Sequence, residues 1–544
     1  MSETTSTSTP PVPANLTPDQ LAQMGLAAHQ RGDLALAQTR YRECLSLNPG
    51  HADAMLMLGI VRFAALDFIE AANLIETAGR ITDWRSAPYR QNYGLLLSAM
   101  IPHFDPVSGT APSVSVARLT QHIAASVDQP ISTLKTALRN GGGAALDPQQ
   151  LAHIAARIHA LRSQKDTARL RSDGFDLVGH ARAESGLGEN MRALSRSCIA
   201  AEVPCSVINI DAGGDSGISD NTLVPLIALE RLFQRQVICV NPHAMAIVAH
   251  HEGSDAFIES YKIGYWFWEL ERLPPLWTLM ASSMQEMWVA AEFVRKALVS
   301  AVSIPVYTVP PSVTPPGPSR HYARIEFGLH DDDFVFLFTF SYWSFIARKI
   351  RGPLSTRFVK RFRPPPSVVR AKLVLKTVNS DRFVEQSDAL RALAAGDPRI
   401  AFIDQVLSCD QISGLQHTCN CYVSLHRSEG FGLGMAECMA IGKPVIGTAY
   451  SANLDFMNES NSLLVEYSLI AVKSGEYPDN QDQMWADADV GFAARHMRRV
   501  FEDASLRKNL GDAAQKFMRE HYSPAAVGAI LRTHLERLNA TRNS

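Results

Sequence analysis

The stretch Leu425-His-Arg-Ser-Glu-Gly-Phe-Gly-Leu-Gly-Met-Ala-Glu-Cys-Met-Ala-Ile-Gly-Lys-Pro-Val-Ile-Gly-Thr448 reads as a strand, a turn, a helix and a second strand. The first strand ends at Leu425 and a glycine-rich turn follows. A helix starts near Leu433 and stops at Gly442, with Pro444 just beyond to block its continuation. Gly430, Gly432 and Gly434 remove side chains where the backbone must come close to a ligand. Phe431 and Leu433 alternate with them. The new helix turns its free N–H groups and positive dipole end toward the same place, which suits an anion. Glu429 lies on the turn and Glu437 in the first turns of the helix, so both carboxylates can serve one pocket and meet sugar or ribose hydroxyls.

Outward from this stretch, short apolar runs alternate with helical ones, the sequence form of parallel α/β layers. The second half contributes strands at Phe334–Phe340, Lys372–Thr377, Ile400–Phe402, Cys421–Leu425 and Pro444–Gly447. An earlier half contributes Phe175–Gly179, Ser206–Ile210, Gln236–Val240, Lys262–Phe267, Glu286–Val289 and Pro305–Val309. Runs this apolar belong in sheets covered by helices on both faces. The proline-rich stretch Pro310–Pro318 separates the halves. Two Rossmann-like domains would then face each other across a cleft, with the carboxyl ends of both sheets toward it. Ser523-Pro524 is a helix start, and the final helices are expected to cross back to the first half.

Glu429 and Glu437, with seven residues between them inside SEGFGLGMAECMAIGKPVIGT, resemble the E-x7-E motif of retaining GT-B glycosyltransferases, family 4. The resemblance covers roughly residues 174–535. It implies transfer of a sugar from a nucleotide-sugar, UDP- or GDP-linked, to a polysaccharide, glycolipid or protein acceptor. It further implies retention of anomeric configuration, no cofactor and no metal ion. Arg348 and Lys349 would neutralise the diphosphate together with the helix start at Gly432–Gly434, and Lys376 is a further cation. Glu437 would bind the ribose and Glu429 the donor sugar. Ser185-Gly-Leu-Gly-Glu-Asn-Met191 is similar to the family's glycine loop, so Gly186 and Gly188 would let acceptor or phosphate approach. Tyr450–Phe456 would lie beside the donor sugar. The sequence departs from the family in having adjacent Arg348 and Lys349 in place of a spaced Gly-Arg and Lys.

No residue stands out as a base. His180, His243, Glu269 and Asp455 are cleft candidates, the histidines better read as structural. His250-His251-Glu252 lacks the i, i+4 histidine spacing of a helical zinc site. Asp487-Ala-Asp489 precedes a helix and reads as a cap.

The amino-terminal third has another texture. Gly25, Gly59 and Gly94 recur at offsets of 34 and 35, Ala37 and Ala71 at 34, and Leu21, Met24 and Gly25 align with Met55, Leu58 and Gly59. With Tyr41 and Pro49, this resembles the tetratricopeptide repeat over about two and a half units, although Asp83 replaces the second terminating proline. It implies either a docking surface for a peptide or for another copy of the chain, or a stabilising helical extension. The expected order is a disordered leader (1–16), helical repeats (17–110), a helical linker (111–170) broken at Asn140-Gly-Gly-Gly143, a first α/β domain (171–315) and a donor-binding domain (316–544).

At 544 residues, 46% hydrophobic and 19% charged, the chain is globular and too long for one domain. A net charge of −2 gives no footprint of nucleic-acid binding. No apolar run reaches membrane-spanning length, and MSETTSTSTPPVPAN lacks the basic start and apolar core of a secretory signal. The eight scattered cysteines form no Cys-x-x-Cys pair and read as buried thiols of a reducing cytoplasm, with the inner-membrane surface as the other expected place of work. The rival expectation is a repeat scaffold whose α/β part binds a sugar-nucleotide without turnover.

Overall fold

The computed structural model describes residues 16–30, 33–64, 68–82, 170–210, 220–228, 231–242, 245, 248, 260–281, 284–314, 317, 320–349, 371–394, 397–477 and 482–541. They belong to two units, residues 1–103 and 104–544. The expected third repeat, the 111–170 helices, His243 and His250–Glu252 lie outside the described residues.

The first unit contains helices Pro18–Gln30, Leu34–Leu47, Ala52–Ala64 and Phe68–Ile81. Its 34-residue period has a packing cause. A Cβ on Gly25 would come 2.5 Å from the Tyr41 ring, and one on Gly59 would come 2.5 Å from Ile75 Cγ1. Glycine and partner each shift by the same period, so the two helix pairs close in the same way. Ala37 and Ala71 are fully buried at matching places. Asp33 caps the second helix, accepting from Leu36 N at 3.0 Å.

The second unit holds two lobes. The first is a parallel sheet of β1 (Phe175–Gly179), β2 (Cys205–Asn209), β3 (Arg235–Ile238), β4 (Tyr261–Trp266), β5 (Glu286–Val289) and β6 (Val306–Thr308), in the order β2-β1-β3-β4-β5-β6. The second lobe is a parallel sheet of β7 (Phe334–Ser341), β8 (Ala371–Val378), β9 (Ile400–Asp404), β10 (Cys421–Ser424), β11 (Val445–Thr448) and β12 (Leu463–Val465). Its order is β12-β11-β10-β7-β8-β9. Numbered within the lobe, that is the Rossmann order 3-2-1-4-5-6 read from the far edge, with its switch point between β7 and β10. The first sheet switches between β1 and β3. Ligands bind at such points, because connections leave in opposite directions there and open a crevice.

Every expected strand is present within two residues of its sequence boundaries. Three others were not legible. β12 has only three residues, and the antiparallel hairpin of β13 (Tyr467–Ala471) and β14 (Met484–Ala488) begins with a strand whose short Leu469–Ala471 run stays mostly exposed.

The last helix, Pro524–Ala540, starts at Ser523, whose side chain caps Ala526 N at 3.3 Å. It does return to the first lobe. Leu531, Leu535 and Leu538 join that lobe's core, and Gly528 lets the helix close on Ser197 and Ala201. Arg235 Nη2 donates to Leu538 O at 3.0 Å. Two Rossmann-like lobes with a carboxyl-terminal helix returning to the first constitute the GT-B architecture. No helix among the described residues is long and apolar enough to cross a membrane.

Candidate active site

The switch points of the two sheets meet in one cavity of about 560 Å³. From the second lobe it is lined by Lys349, Ser424, Glu429 and the run Gly430–Met435. From the first it is lined by His180, Ser185, Gly186, Asn190, Asn241 and Glu269.

Glu429 is held in place by its own loop. Its N–H donates to Ser451 Oγ at 2.9 Å, and its carbonyl accepts from Ala452 N at 3.3 Å. Below the loop, His426 is fully buried. Its Nε2 lies 3.0 Å from Asn453 Oδ1 and 3.2 Å from Tyr450 O, two acceptors, so that nitrogen carries the proton. Its Nδ1 then accepts from Ser424 Oγ at 3.1 Å. Burial lowers the His426 pKa, which keeps this post neutral.

Both cations after β7 turn to Glu429. Lys349 Nζ bonds one carboxylate oxygen and Arg348 Nη1 is 3.1 Å from the other. Arg348 also donates to Ser428 O at 2.8 Å, and its Nη2 lies 3.6 Å from Glu269 of the first lobe. Arg348 is therefore shared between a carboxylate from each lobe. Tyr477, on the loop of the β13–β14 hairpin, bonds the other Glu269 oxygen. Burial by itself would raise the Glu429 pKa, but Lys349 and Arg348 overcome that and hold it at about 2. Burial lowers the Lys349 pKa, opposed mainly by the Glu429 carboxylate.

The helix after the turn, Leu433–Ala440, has Gly432 at its N-cap with φ 96°, a left-handed conformation that only glycine takes without strain. Gly434 has a different reason from the one its sequence suggests. A Cβ there would meet Tyr422 OH at 2.5 Å, so its smallness serves packing against β10. Gly188 is likewise needed for the loop Ala183 carbonyl and does not line the cavity, whereas a Cβ on Gly186 would stand in open space.

Three other expected placements differ. Arg348 lies behind the cavity wall, while Lys349 reaches the surface. Lys376 is buried away from the cavity, donating to Thr377 O at 3.1 Å, because β8 lies beyond the switch point. The Tyr450–Phe456 stretch supports the motif from behind: Tyr450 OH donates to Glu271 Oε1 at 3.1 Å, and Asp455 accepts from Glu292 N of the first lobe at 2.7 Å. Asp489 caps the Val490–Glu502 helix as expected, accepting from Phe492 N at 2.9 Å. Glu269, Tyr477 and His426 were undervalued or missed, since nothing in their local sequence announces contacts made across the lobes or beneath the motif.

Glu437 does not line this cavity. Gln416 Nε2 donates to its Oε2 at 2.6 Å, and Glu189 and Arg196 of the first lobe act on it electrostatically. Burial chiefly raises its pKa, to about 7, helped by Glu189. A carboxyl whose pKa is higher folded than unfolded (about 4.3) loses native stability as pH rises through that window, and the loss levels off above pH 7. The side chain keeps some solvent contact, so we count about 1 kcal/mol of that shift. Glu437→Gln should accordingly raise the ligand-free melting temperature by about 2 °C at pH 8, with the gain shrinking toward pH 5. Equal gains at both pH values would show that its charge is not what strains the fold.

Residues 366–471, including the E-x7-E segment, match the family model described as glycosyl transferases group 1. The second lobe carries a glycosyltransferase signature. No curated protein matches the chain. Solved structures similar to it include HepE of Anabaena in complex with UDP and glucose, 12% identical, covering 66% of this chain and 99% of that one, TM-score 0.46. Sucrose-phosphate synthase of Thermosynechococcus elongatus is 14% identical over 68% of this chain and 100% of its own, TM-score 0.49. A mutant O-GlcNAc transferase of Thermobaculum terrenum is 13% identical over 96% of each chain, TM-score 0.43.

Proposed function

We propose that this chain is a retaining glycosyltransferase of family 4, which moves a sugar from a nucleotide-sugar to a hydroxyl acceptor without a resident metal ion. The observation that carries the reading is the cluster of Glu429, Lys349 and Arg348 at the switch point, beside a glycine-lined helix start. Breaking the bond between the anomeric carbon and the diphosphate leaves an electron pair, and negative charge, on the phosphate oxygen. Lys349 and the N–H groups at Gly432–Gly434 are pre-arranged to meet that charge, which is where electrostatic catalysis is strongest. Arg348 holds Glu429 from behind, and Glu429 is placed to accept from hydroxyls of the donor sugar. The acceptor oxygen forms the new bond to the anomeric carbon on the face the diphosphate leaves, and its proton passes to the departing phosphate oxygen. The products are a glycoside and a nucleoside diphosphate. The amino-terminal helix pairs, read as tetratricopeptide repeats, would dock a protein partner or another copy of the chain, and the chain would work in the cytoplasm or at the inner membrane surface.

The purified chain should be offered UDP-glucose, UDP-N-acetylglucosamine and GDP-mannose in EDTA. One donor should raise the melting temperature, because a ligand at 100 times its Kd adds about 2.7 kcal/mol, and should release nucleoside diphosphate. NMR of the product should show the donor's anomeric configuration. Turnover only with added metal, or an inverted product, would remove those parts of the proposal. Tight binding without turnover would favour the scaffold reading.

A further inference from the structure

The contacts around Arg348 form a chain that leaves the second lobe and returns to it. Tyr477, on the loop of the β13–β14 hairpin, donates its hydroxyl proton to Glu269 Oε2. The other oxygen, Oε1, lies 3.6 Å from Arg348 Nη2, and Arg348 Nη1 is 3.1 Å from Glu429. A tyrosine and an arginine of the second lobe thus divide the two oxygens of one first-lobe carboxylate. The terminal torsion of a glutamate is broad, so a carboxylate held at one oxygen can still swing. Held at both, it has one orientation. The other bonds of Arg348 stay within the second lobe, Nε to Ser344 O at 3.2 Å and Nη1 to Ser428 O at 2.8 Å. Glu269 therefore fixes the outer end of the guanidinium, and Tyr477 fixes Glu269.

The hairpin is braced on two sides. Toward the motif, Ala486 N of β14 donates to Arg427 O at 3.0 Å, and the Arg427 guanidinium lies 4.9 Å over the Trp485 ring. Toward the first lobe, the Gln483 amide takes both backbone groups of Arg272. Its Oε1 accepts from Arg272 N at 2.9 Å and its Nε2 donates to Arg272 O at 3.1 Å. A Cβ on Gly430 would stand 3.2 Å from Trp268 O, so the motif loop itself seats the chain that carries Glu269. The Tyr477 ring packs 5.5 Å from Trp268 and 5.0 Å from Phe345. Ring packing and the amide pair hold the hairpin in place, so its fastening does not need the hydroxyl. Nor does Tyr477 line the cavity. We propose that Tyr477 is a positioning residue for glycosyl transfer, its hydroxyl holding Glu429 at the donor sugar through Glu269 and Arg348. The role rests on the glycosyl-transfer reading and adds no chemical step to it.

Tyr477→Phe removes the oxygen and keeps the ring. In the full chain, with the donor that the wild type hydrolyses, kcat should fall about tenfold while the donor KM stays within about twofold. The melting temperature should stay within about 2 °C of the wild type, a shift too small to account for that loss. Glu269→Ala deletes the middle link, so adding Tyr477→Phe to it should change kcat less than about twofold, whereas independent effects would multiply. Arg348→Lys, which has no fork to span Glu269 and Glu429 together, gives a second background should Glu269→Ala fail to fold. Multiplying effects in the background used, or a wild-type kcat in Tyr477→Phe, would overturn the positioning role and leave the transferase reading standing. A wild-type chain that turns over no donor would overturn the transferase reading, and this role with it.

Discussion

Glu429→Gln should lower kcat/KM for the nucleotide-sugar by about 10²–10³, equivalent to roughly 3–4 kcal/mol of transition-state stabilisation. The size follows from a double loss. The amide no longer offers two strong acceptor oxygens to the donor sugar. It also withdraws the carboxylate that opposes the burial-driven lowering of the Lys349 pKa. Without that partner, Lys349 sheds its proton more readily, which weakens the positive charge where diphosphate charge develops. Arg348 keeps Glu269 and the Ser428 carbonyl, so the fold has a remaining anchor.

Two pH readouts separate this account from simple damage to the fold. The alkaline limb of the donor-affinity profile should move to lower pH in Glu429→Gln, because Lys349 then deprotonates earlier. In the wild type, a carboxyl held at about 2 contributes stability that is fully present above its unfolded pKa near 4.3 and is lost as pH falls through 2. The variant should lack that acid-side dependence. An unmoved alkaline limb with unchanged kcat/KM would remove Glu429 and Lys349 from the centre of the mechanism.

How far the sequence reveals this arrangement depends on how local each cause is. The strand–turn–helix frame was legible because its determinants lie within a few residues: Gly432 at positive φ, Leu433 opening the helix, and Gly442, also at positive φ, closing it. The helical pairs were legible because Gly25 and Tyr41 repeat as Gly59 and Ile75. Sheet order was not, since an apolar strand carries no mark of which neighbour it takes, and so Lys376 looked as eligible as Lys349. Nor was the purpose of Gly188 and Gly434 legible. A glycine spared for a ligand and one spared for a carbonyl or a tyrosine hydroxyl read alike. Glu269 reaches Arg348 only because two lobes meet, and that contact spans 79 residues of chain.

Arg537→Ala should be the most destabilising of the substitutions considered, by about 3 kcal/mol, the lower end for breaking a buried ion pair. Glu286 on β5 is fully buried, with its oxygens 2.9 and 2.7 Å from Arg537 Nη2 and one of them 2.9 Å from Trp288 Nε1. Arg537 keeps part of its surface in solvent and also lies over the Tyr307 ring at 4.4 Å, so truncation loses packing as well as charge. What remains is a carboxylate sealed under the returning helix with an indole and a phenol but no cation. Hydrogen exchange should accelerate across residues 524–540, because the Arg537–Glu286 ion pair is a charged tie between that helix and the first lobe's sheet. Adding Glu286→Gln should recover most of the loss, since the cost arises from the stranded charge and not from the missing guanidinium. A double variant as unstable as the single one would place the effect in packing around Tyr307 instead. Because the same helix begins directly after Tyr522, whose carbonyl accepts from Val313 N at 2.7 Å beside the passage between lobes, its release should also raise the KM for the donor by loosening the closed cleft.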